Sequence, residues 1–308
     1  MKLKRYTRED LSRELKHRLD AESFFGSPGF AALWTTVGGR DVYWMLEDNQ
    51  RPLALLAGVE FGFGPLRRMQ AMPDGCYARL VLLEEQERYH GHIMRRFMKE
   101  LADSYYAKLT LYDYSRQLPE VTGYKTMELE TTVVDISRDW QPPDKKIRQE
   151  IRKAEREGIA VVPFDRQEHF SRFIKLMHLT EQRHGRGPKY PVEFFESLAD
   201  LAVRDQRVCW RHVEVDSQAA ASHIFFIEGD MALHWQVYFD KQFSYLKPNQ
   251  YLLFDTARQL ADRGVKRLNL GASPDEASGL KSYKDKWGGE TYTYPAYVNY
   301  SLVGNILW

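Results

Sequence analysis

One order of predicted elements, a hairpin followed by a strand, a helix and a further strand, occurs twice along the chain. Alternating apolar residues and polar turns predict the first copy at 41–47, 53–61, 77–83, 85–104 and 107–112. The same pattern predicts the second copy at 207–215, 219–227, 232–239, 249–263 and 265–270. A chain of 308 residues is too long for one average hydrophobic core and suits two. The repetition therefore predicts a duplicated α/β fold with mixed sheets.

The boundary between the two copies is predicted at Pro142-Pro143, because two adjacent prolines cannot continue a helix. Asp144 follows as the predicted N-cap of a helix that runs to Glu157. A strand is predicted in the Tyr- and Thr-rich segment 291–300. We therefore expect an N-terminal and a C-terminal domain, at 1–142 and 143–290.

Composition and charge exclude several classes of protein. Lys and Arg number 44 and Asp and Glu 43, so a net charge of +1 gives no support for a nucleic-acid-binding field. No run of apolar residues is long enough for a membrane helix, and the N-terminus has no apolar region of a signal peptide. Two cysteines make no disulfide framework, and no Cys/His spacing suits a metal. We expect a cytoplasmic protein without a metal.

Several segments of the chain carry a family resemblance, strongest in the second half. They are 24–30 (FFGSPGF), 153–158 (KAEREG), 246–253 (LKPNQYLL), 262–264 (DRG), 268–271 (LNLG) and 279–289 (GLKSYKDKWGG). Together they resemble the FemABX-like branch of the GNAT superfamily. The resemblance implies two tandem GNAT-like domains, the acyl-CoA N-acyltransferase fold, with 291–308 expected to return to the first.

The resemblance implies acyl transfer to an amine, and it leaves two kinds of donor open. FemABX enzymes take an amino acid from aminoacyl-tRNA, whereas ordinary GNAT enzymes take an acetyl group from acetyl-CoA. Ordinary GNAT domains hold the CoA pyrophosphate on a glycine-rich loop that opens a helix, where backbone N–H groups attract phosphate. Here that helix opens with 247–251 (KPNQY), without the glycines, and the equivalent place in the first half reads EEQER at 84–88. This difference disfavours acetyl-CoA.

Lys284 is the first catalytic candidate. It stands in 283–287 (YKDKW), which is similar to the family's aromatic-Lys-x-x-aromatic signature near the acyl-transfer site. A fixed cation beside the carbonyl oxygen would stabilise the negative charge that develops there. Tyr283 of the same signature is expected to contact substrate. The alternative is a solvated charge on a helix surface, because charged residues surround Lys284.

His234, Gln236 and Tyr238 alternate along the strand before Lys247, so they are expected to share one face. Because that strand borders the acceptor site in GNAT folds, His234 is a candidate base, Tyr238 a second catalytic candidate and Gln236 a substrate contact. The alternative for the histidine is a hydrogen-bonded core or surface residue. His223 is a weaker candidate for the same role.

A second group of residues is expected to bind phosphate. Arg148 and Arg152 lie four residues apart on one helix face, and guanidinium groups bind phosphates bidentately. The remaining members are Lys247 and Asn249 at the helix opening and Arg186 in a glycine-containing loop, 183–191, that could close over a ligand. A mixed-charge surface helix and a plain connection between helices are the alternatives.

The sequence therefore predicts an acyltransferase that moves an acyl or aminoacyl group onto a small-molecule or peptide-like amine acceptor. The arginines would allow that acceptor to be phosphorylated. One alternative is a conventional acetyl-CoA-dependent N-acetyltransferase, and another is a GNAT-fold binding module that has lost its chemistry. Binding of tRNA fits the family but finds no support in the net charge, and the oligomeric state is left open.

Overall fold

The computed structural model describes residues 1–273 and 278–307, which divide into two units. The first comprises Met1–Leu129 and the chain from Thr293 onward, and the second comprises Glu130–Tyr292. The predicted boundary at Pro142-Pro143 lies inside the second unit. Each unit combines a mixed sheet with helices, which confirms the predicted fold class.

The strands and helices are numbered in chain order. The strands are β1 (Lys2–Tyr6), β2 (Arg40–Asp48), β3 (Arg51–Phe61), β4 (Arg68–Gln70), β5 (Val81–Leu82), β6 (Lys108–Tyr112), β7 (Lys125–Asp135), β8 (Val162–Pro163), β9 (Val208–Val215), β10 (Gln218–Glu228), β11 (Met231–Phe239), β12 (Arg267–Asn269) and β13 (Glu290–Tyr300). The helices are α1 (Arg13–Glu22), α2 (Pro28–Leu33), α3 (His90–Ala102), α4 (Lys145–Arg156), α5 (Arg166–Arg183), α6 (Val192–Arg204), α7 (Pro248–Asp262), α8 (Ser278–Asp285) and α9 (Leu302–Leu307). Within the described residues, no helix combines the length and the apolar character that a membrane crossing requires.

The sheet of the first unit has the strand order β1-β2-β3-β4-β6, and residues 296–300 of β13 pair antiparallel with β6. The predicted hairpin of β2 and β3 is confirmed, and Asn49 and Gln50 turn it with positive φ angles. β4 runs parallel to β6, whereas the other pairs in this order are antiparallel.

Two predicted elements of the first unit are shorter than expected. The strand predicted at 77–83 is reduced to β5, and β4 pairs with another part of β3. The segment between β4 and β5 leaves the sheet because Met72, Asp74 and Gly75 all have positive φ angles, which strand residues do not adopt. The helix predicted from Glu85 begins at His90, after a 3₁₀ turn at Glu87–Tyr89.

The sheet of the second unit repeats the order and the strand directions of the first. Its order is β8-β9-β10-β11-β12-β7, in which β11 and β12 are parallel and the other pairs are antiparallel. The last strand of each sheet comes from a different part of the chain. In the first unit it is β13, which follows the other strands in sequence, and in the second unit it is β7, which precedes them. The structure thus agrees with the predicted duplication.

Helices α4 and α7 pack against each other, and α7 also contacts β9 and β10. α4 begins after Asp144 as predicted, and Ile147, Ile151 and Ala154 form its buried stripe. These residues join a core that includes Phe225, Leu252 and Trp287, among others. The opposite side of this sheet is contacted by α5 and α6, which the 183–191 loop connects.

Replacing the N-cap of α4 should destabilise the second unit. The Asp144 carboxylate accepts a hydrogen bond from the Ile147 N–H at 2.9 Å, and Asp144→Ala removes this acceptor. We expect a loss of about 1 kcal/mol in the free energy of unfolding, measured by urea denaturation. Asp144→Asn, which keeps an acceptor, and Asp139→Ala, an exposed residue outside the helix, should unfold like the wild type. Equal losses for Asp144→Ala and Asp139→Ala would contradict the capping role.

Candidate functional site

The parallel strands β11 and β12 pair over only three residues, and the last pair joins Leu233 to Asn269. Beyond it, β11 continues to Phe239, while the chain after β12 turns away at Gly271, where φ is +79°. This divergence opens the sheet at the carboxyl ends of two neighbouring strands, where α/β proteins commonly bind ligands. Polar side chains from β10, β11, α7 and α8 meet near this opening.

A bulge in β11 determines which of its side chains face the polar side chains near this opening. Phe225 of β10 lies opposite His234, but Ile224 lies opposite Gln236, so Trp235 is the extra residue. One extra residue moves everything beyond it to the other face of the strand. His234 therefore lies on the face of Phe225, whereas Gln236 and Tyr238 lie on the opposite face. The expectation that the three share one face was wrong.

His234 belongs to a chain of three hydrogen-bonded side chains. His223 Nε2 lies 2.6 Å from Asn249 Oδ1, and His234 Nε2 lies 3.1 Å from His223 Nδ1. Because an amide oxygen can only accept, His223 carries its proton on Nε2 and accepts the Nε2–H of His234 at Nδ1. This arrangement leaves Nδ1 of His234 without a proton. The ring of His234 also stacks on Phe225, with 4.5 Å between centroids.

Both histidines are held neutral. Burial lowers the pKa of His223 to about 4, although the hydrogen bond with Asn249 opposes this shift. Burial also lowers the pKa of His234 well below its ordinary value, and the neighbouring His223 and Lys284 lower it further. At neutral pH, His234 is therefore an uncharged hydrogen-bond acceptor at Nδ1.

Lys284 lies beside these histidines with only 3% of its surface exposed. Its Nζ donates to the carbonyl oxygens of Gly271 and Ala272, at 2.6 and 2.9 Å. Burial lowers the pKa of the ammonium to about 8, so it is still mostly protonated at neutral pH. An ammonium has three N–H donors, and two of them are used within the described residues, so the third is available there for a substrate oxygen. Lys281, Asp285 and Lys286 of the same run are exposed, so the solvated-surface alternative fits them and not Lys284.

The Glu150 carboxylate on α4 interacts with both Lys247 and Tyr283. Lys247 precedes α7 in the left-handed conformation and forms an ion pair with Glu150 at 3.1 Å. The ring of Tyr283 packs edge-on against Trp287, 6.1 Å between centroids. Burial, opposed by Trp287 and reinforced by the charge of Glu150, raises the pKa of Tyr283 to about 12. Lys247, Asn249, Tyr283, Lys284 and His234 therefore form the candidate site with His223 and Glu150.

The two arginines of α4 differ in their surroundings. Arg148 Nη1 donates to the carbonyl oxygens of Pro142 and Pro143, at 2.7 and 2.5 Å, and so ties the helix to the segment before it. Arg152 is exposed. Its role in phosphate binding stays a prediction, whereas Arg148 already has two acceptors.

Gln236, Tyr238 and Arg186 lie on the side of the sheet that α5 covers. Tyr238 is buried against Phe173, 5.3 Å between ring centroids, and its hydroxyl donates to Gln236 at 3.4 Å. Burial and the charge of Glu181 raise its pKa, which Arg186 partly offsets. Arg186 pairs with the buried Glu181 at 2.5 Å, so it is tied to α5. These three residues take no part in the group around Lys284.

Sequence reasoning underrated His223, and it missed Glu150 and the carbonyl groups of Gly271 and Ala272. The pairing register of β10 with β11 would have placed His223 beside His234, but that register is not visible in either strand alone. Among residues 1–273 and 278–307, no three His, Cys, Asp or Glu side chains are grouped to hold a metal ion.

Comparison with known families adds an assignment for most of the second unit. Residues 144–285 match the family model described as acetyltransferase (GNAT) domain. No curated protein matches the sequence.

Three solved structures resemble nearly the whole chain. A structure of FemX has a TM-score of 0.72 and 13% identity, covering 99% of this chain and 98% of its own. The structure of L-PGS from Bacillus licheniformis has a TM-score of 0.60 and 15% identity, covering 98% and 96%. A tandem GNAT protein from the clavulanic acid biosynthesis pathway has a TM-score of 0.50 and 11% identity, covering 96% and 98%. These likenesses confirm the predicted tandem GNAT fold.

The buried histidines should make stability depend on pH. Unfolded His has a pKa near 6.5 and folded His223 about 4, so the unfolded chain binds the proton first as pH falls. The stabilisation present above about pH 6.5 is then lost towards pH 4, by at most about 3 kcal/mol for this residue. We expect His223→Gln to reduce this loss in urea unfolding measured across that range.

The exposed His17 provides the matched control, because His17→Gln should leave the pH dependence as in the wild type. A His223→Gln variant that loses as much stability as the wild type between pH 6.5 and pH 4 would contradict a neutral buried His223.

Proposed function

We propose that the chain transfers an aminoacyl group to an amine, with Lys284 stabilising the developing oxyanion, from the premise that residues 144–285 match the family model described as acetyltransferase (GNAT) domain. The observation that carries the proposal is the fixed, buried ammonium of Lys284 beside the opening between β11 and β12. A cation already held by two carbonyl groups needs no reorganisation during the reaction. An accessible surface lysine would offer no such advantage.

The reaction proceeds by attack of the acceptor amine on the acyl carbon. The new N–C bond forms as the bond from that carbon to the donor oxygen breaks, and the amine nitrogen loses a proton. The third N–H of Lys284 donates to the acyl oxygen while its negative charge is greatest. Direct transfer between two bound substrates needs no covalent enzyme intermediate, so positioning and electrostatics supply the catalysis.

His234 is the candidate acceptor of the amine proton. Its Nδ1 carries no proton, and its ring is fixed by the stack on Phe225 and the bond to His223. Because its pKa is well below the ordinary value, His234 holds a proton only briefly and passes it to the leaving oxygen or to water. Asn249 supports this role from a distance by fixing the tautomer of His223.

The helix opening favours an aminoacyl ester over acetyl-CoA as the donor. Pro248 occupies the first position of α7 and has no N–H, and Lys247 before it is turned towards Glu150. Fewer backbone amides are therefore available for a pyrophosphate than in a glycine-rich loop. The likeness to FemX supports the same choice, as does that to the C-terminal domain of a putative lysylphosphatidylglycerol synthetase from Agrobacterium fabrum, which has a TM-score of 0.60 and 12% identity. We infer an aminoacyl-tRNA donor and a small-molecule or peptide-like amine acceptor.

A conventional acetyl-CoA-dependent N-acetyltransferase is the second candidate, because the matching family model is described as an acetyltransferase domain. Thermal unfolding with acetyl-CoA separates the two. A ligand at 100 times its Kd stabilises the folded protein by about 2.7 kcal/mol, which shifts the melting temperature visibly. We expect no shift at millimolar acetyl-CoA, and transfer of radiolabelled amino acid from aminoacyl-tRNA to amine-bearing peptides. A clear shift would favour the acetyltransferase. If neither the shift nor the transfer is observed, the result would favour a binding module.

Replacing Lys284 should impair the chemical step. Lys284→Met removes the ammonium but keeps an apolar side chain of similar length, and we expect kcat to fall by about 100-fold or more. The measurement is transfer of labelled amino acid at saturating donor. Lys281→Met, an exposed lysine on the same helix, should retain wild-type kcat.

The pH profile provides a second check on Lys284. Because the charged form is the active one and its pKa is about 8, wild-type kcat should fall as pH rises through 8. Unchanged turnover in Lys284→Met, or a kcat that is flat from pH 7 to pH 9, would remove Lys284 from the mechanism.

A further inference from the structure

The first unit contains a cavity of about 540 Å³ in which three arginines surround one carboxylate. Its main lining side chains are Arg5, Arg40, Glu60, Arg67, Phe63 and Tyr105. None of these residues belongs to the GNAT match or to the group around Lys284. The volume is in the range of small-molecule sites.

Neighbouring strands bring the charged side chains together. Arg40 of β2 lies directly opposite Glu60 of β3, Arg5 comes from β1, and Arg67 immediately precedes β4. Glu60 has no exposed surface. Arg5 donates two hydrogen bonds to the Glu60 carboxylate, from Nε at 2.9 Å and from Nη2 at 2.7 Å. The Tyr106 hydroxyl also donates to this carboxylate.

The Glu60 carboxylate is ionised in these surroundings. Burial opposes its ionisation, but the hydrogen bonds from Arg5 and Tyr106 and the charges of Arg5 and Arg67 outweigh burial and lower the pKa of Glu60. Arg5 is thereby neutralised. Arg40 lies farther away, with 3.9 Å between Nη2 and the carboxylate, and the Arg67 guanidinium lies over the ring of Tyr106 at 5.7 Å.

The charges in the cavity do not balance. Three guanidiniums face one carboxylate, and the other lining residues, including Gly64 and Pro65, are uncharged. Glu100 and Asp103 line a neighbouring cavity, which Arg5, Arg67 and Tyr105 also line; Glu100 is paired there with Arg96 at 2.5 Å, and Asp103 is exposed. Among the residues that line this cavity, the excess is two positive charges, which matches a phosphate monoester with its charge of about −1.5 to −2 at neutral pH. A carboxylate would balance only one of them.

Two aromatic side chains at the cavity are left open to solvent, Phe63 at 77% and Tyr105 at 89% exposure. The turn that presents Phe63 is fixed, because Gly62 has a φ of +76° and its carbonyl accepts a hydrogen bond from Arg40 at 2.9 Å. Exposed aromatic rings beside arginines offer stacking surfaces to a planar ligand.

We propose that this cavity binds a phosphate monoester that carries a planar ring. Arg40 and Arg67 hold the phosphate, Arg5 and Glu60 form the fixed floor, and Phe63 and Tyr105 contact the ring. The same chemistry is found in nucleoside monophosphates and in simple aryl phosphates. The proposal does not depend on the acyl transfer, because no residue is shared with that site.

Calorimetric titration of the full chain tests the proposal with four probes: adenosine 5′-monophosphate, phenyl phosphate, inorganic phosphate and adenosine. We expect the first two to bind, and phosphate or adenosine alone to bind at least 10-fold more weakly. Tighter binding of the nucleotide than of phenyl phosphate would identify nucleosides as the ligand class, and equal binding would identify aryl phosphates. No binding of either at millimolar concentration, or inorganic phosphate binding as tightly, would overturn the proposal.

Three variants locate the binding. Arg67→Ala removes a guanidinium that packs on Tyr106, and it should weaken binding at least 10-fold. Arg138→Ala, an exposed arginine of the second unit paired with Asp262, should bind like the wild type. Lys284→Met should also bind like the wild type, so loss of acyl transfer and loss of phosphate binding are separable. Equal affinity of Arg67→Ala and wild type, or loss of binding in Lys284→Met, would place the ligand elsewhere.

Discussion

The ammonium of Lys284 can lie in the interior because two backbone carbonyl groups accept its hydrogen bonds. An unpaired buried charge would cost several kcal/mol, so the turn that presents these carbonyls is as necessary as the lysine. That turn needs the positive φ of Gly271, whose N–H is held by Asn269 Oδ1 at 2.8 Å. Asn269 in turn accepts a hydrogen bond from Thr131 at 2.5 Å. The candidate site therefore depends on the end of β12, several residues before the helix that carries the lysine.

The two faces of the second sheet carry different kinds of side chain. On the side of α7, buried polar groups form hydrogen-bonded chains around Lys284. On the side of α5, aromatic rings pack closely, as in the stack of Phe164 on Trp210 at 3.9 Å between centroids. Tyr238 belongs to this aromatic packing, and burial keeps its hydroxyl protonated. The bulge at Trp235 separates the two environments along a single strand.

The two units share one strand order but differ in where their polar and charged side chains come together. In the second unit, β11 and β12 diverge after three residue pairs, and the polar group lies at that opening. In the first unit, the parallel pairing of β4 with β6 is extended by the Ala71 N–H, which donates to the Thr110 carbonyl at 2.9 Å. In that unit, three arginines instead lie around Glu60, where β2 begins and β3 ends. Topology fixes where strands lie, and side chains and strand ends decide what they bind.

The amino-acid sequence by itself determined the order of elements, the duplicated α/β fold and the capped start of α4, because periodicity, turns and caps are local signals. With the family resemblance, it also pointed to Lys284, Tyr283 and the start of α7. Tertiary structure alone decided that Lys284 is buried, that Arg148 binds the carbonyls of Pro142 and Pro143, and that Tyr238 turns away from His234. A one-residue bulge reverses a strand face without changing the sequence pattern, and hydrogen bonds between distant residues depend on the pairing register and the packing of helices.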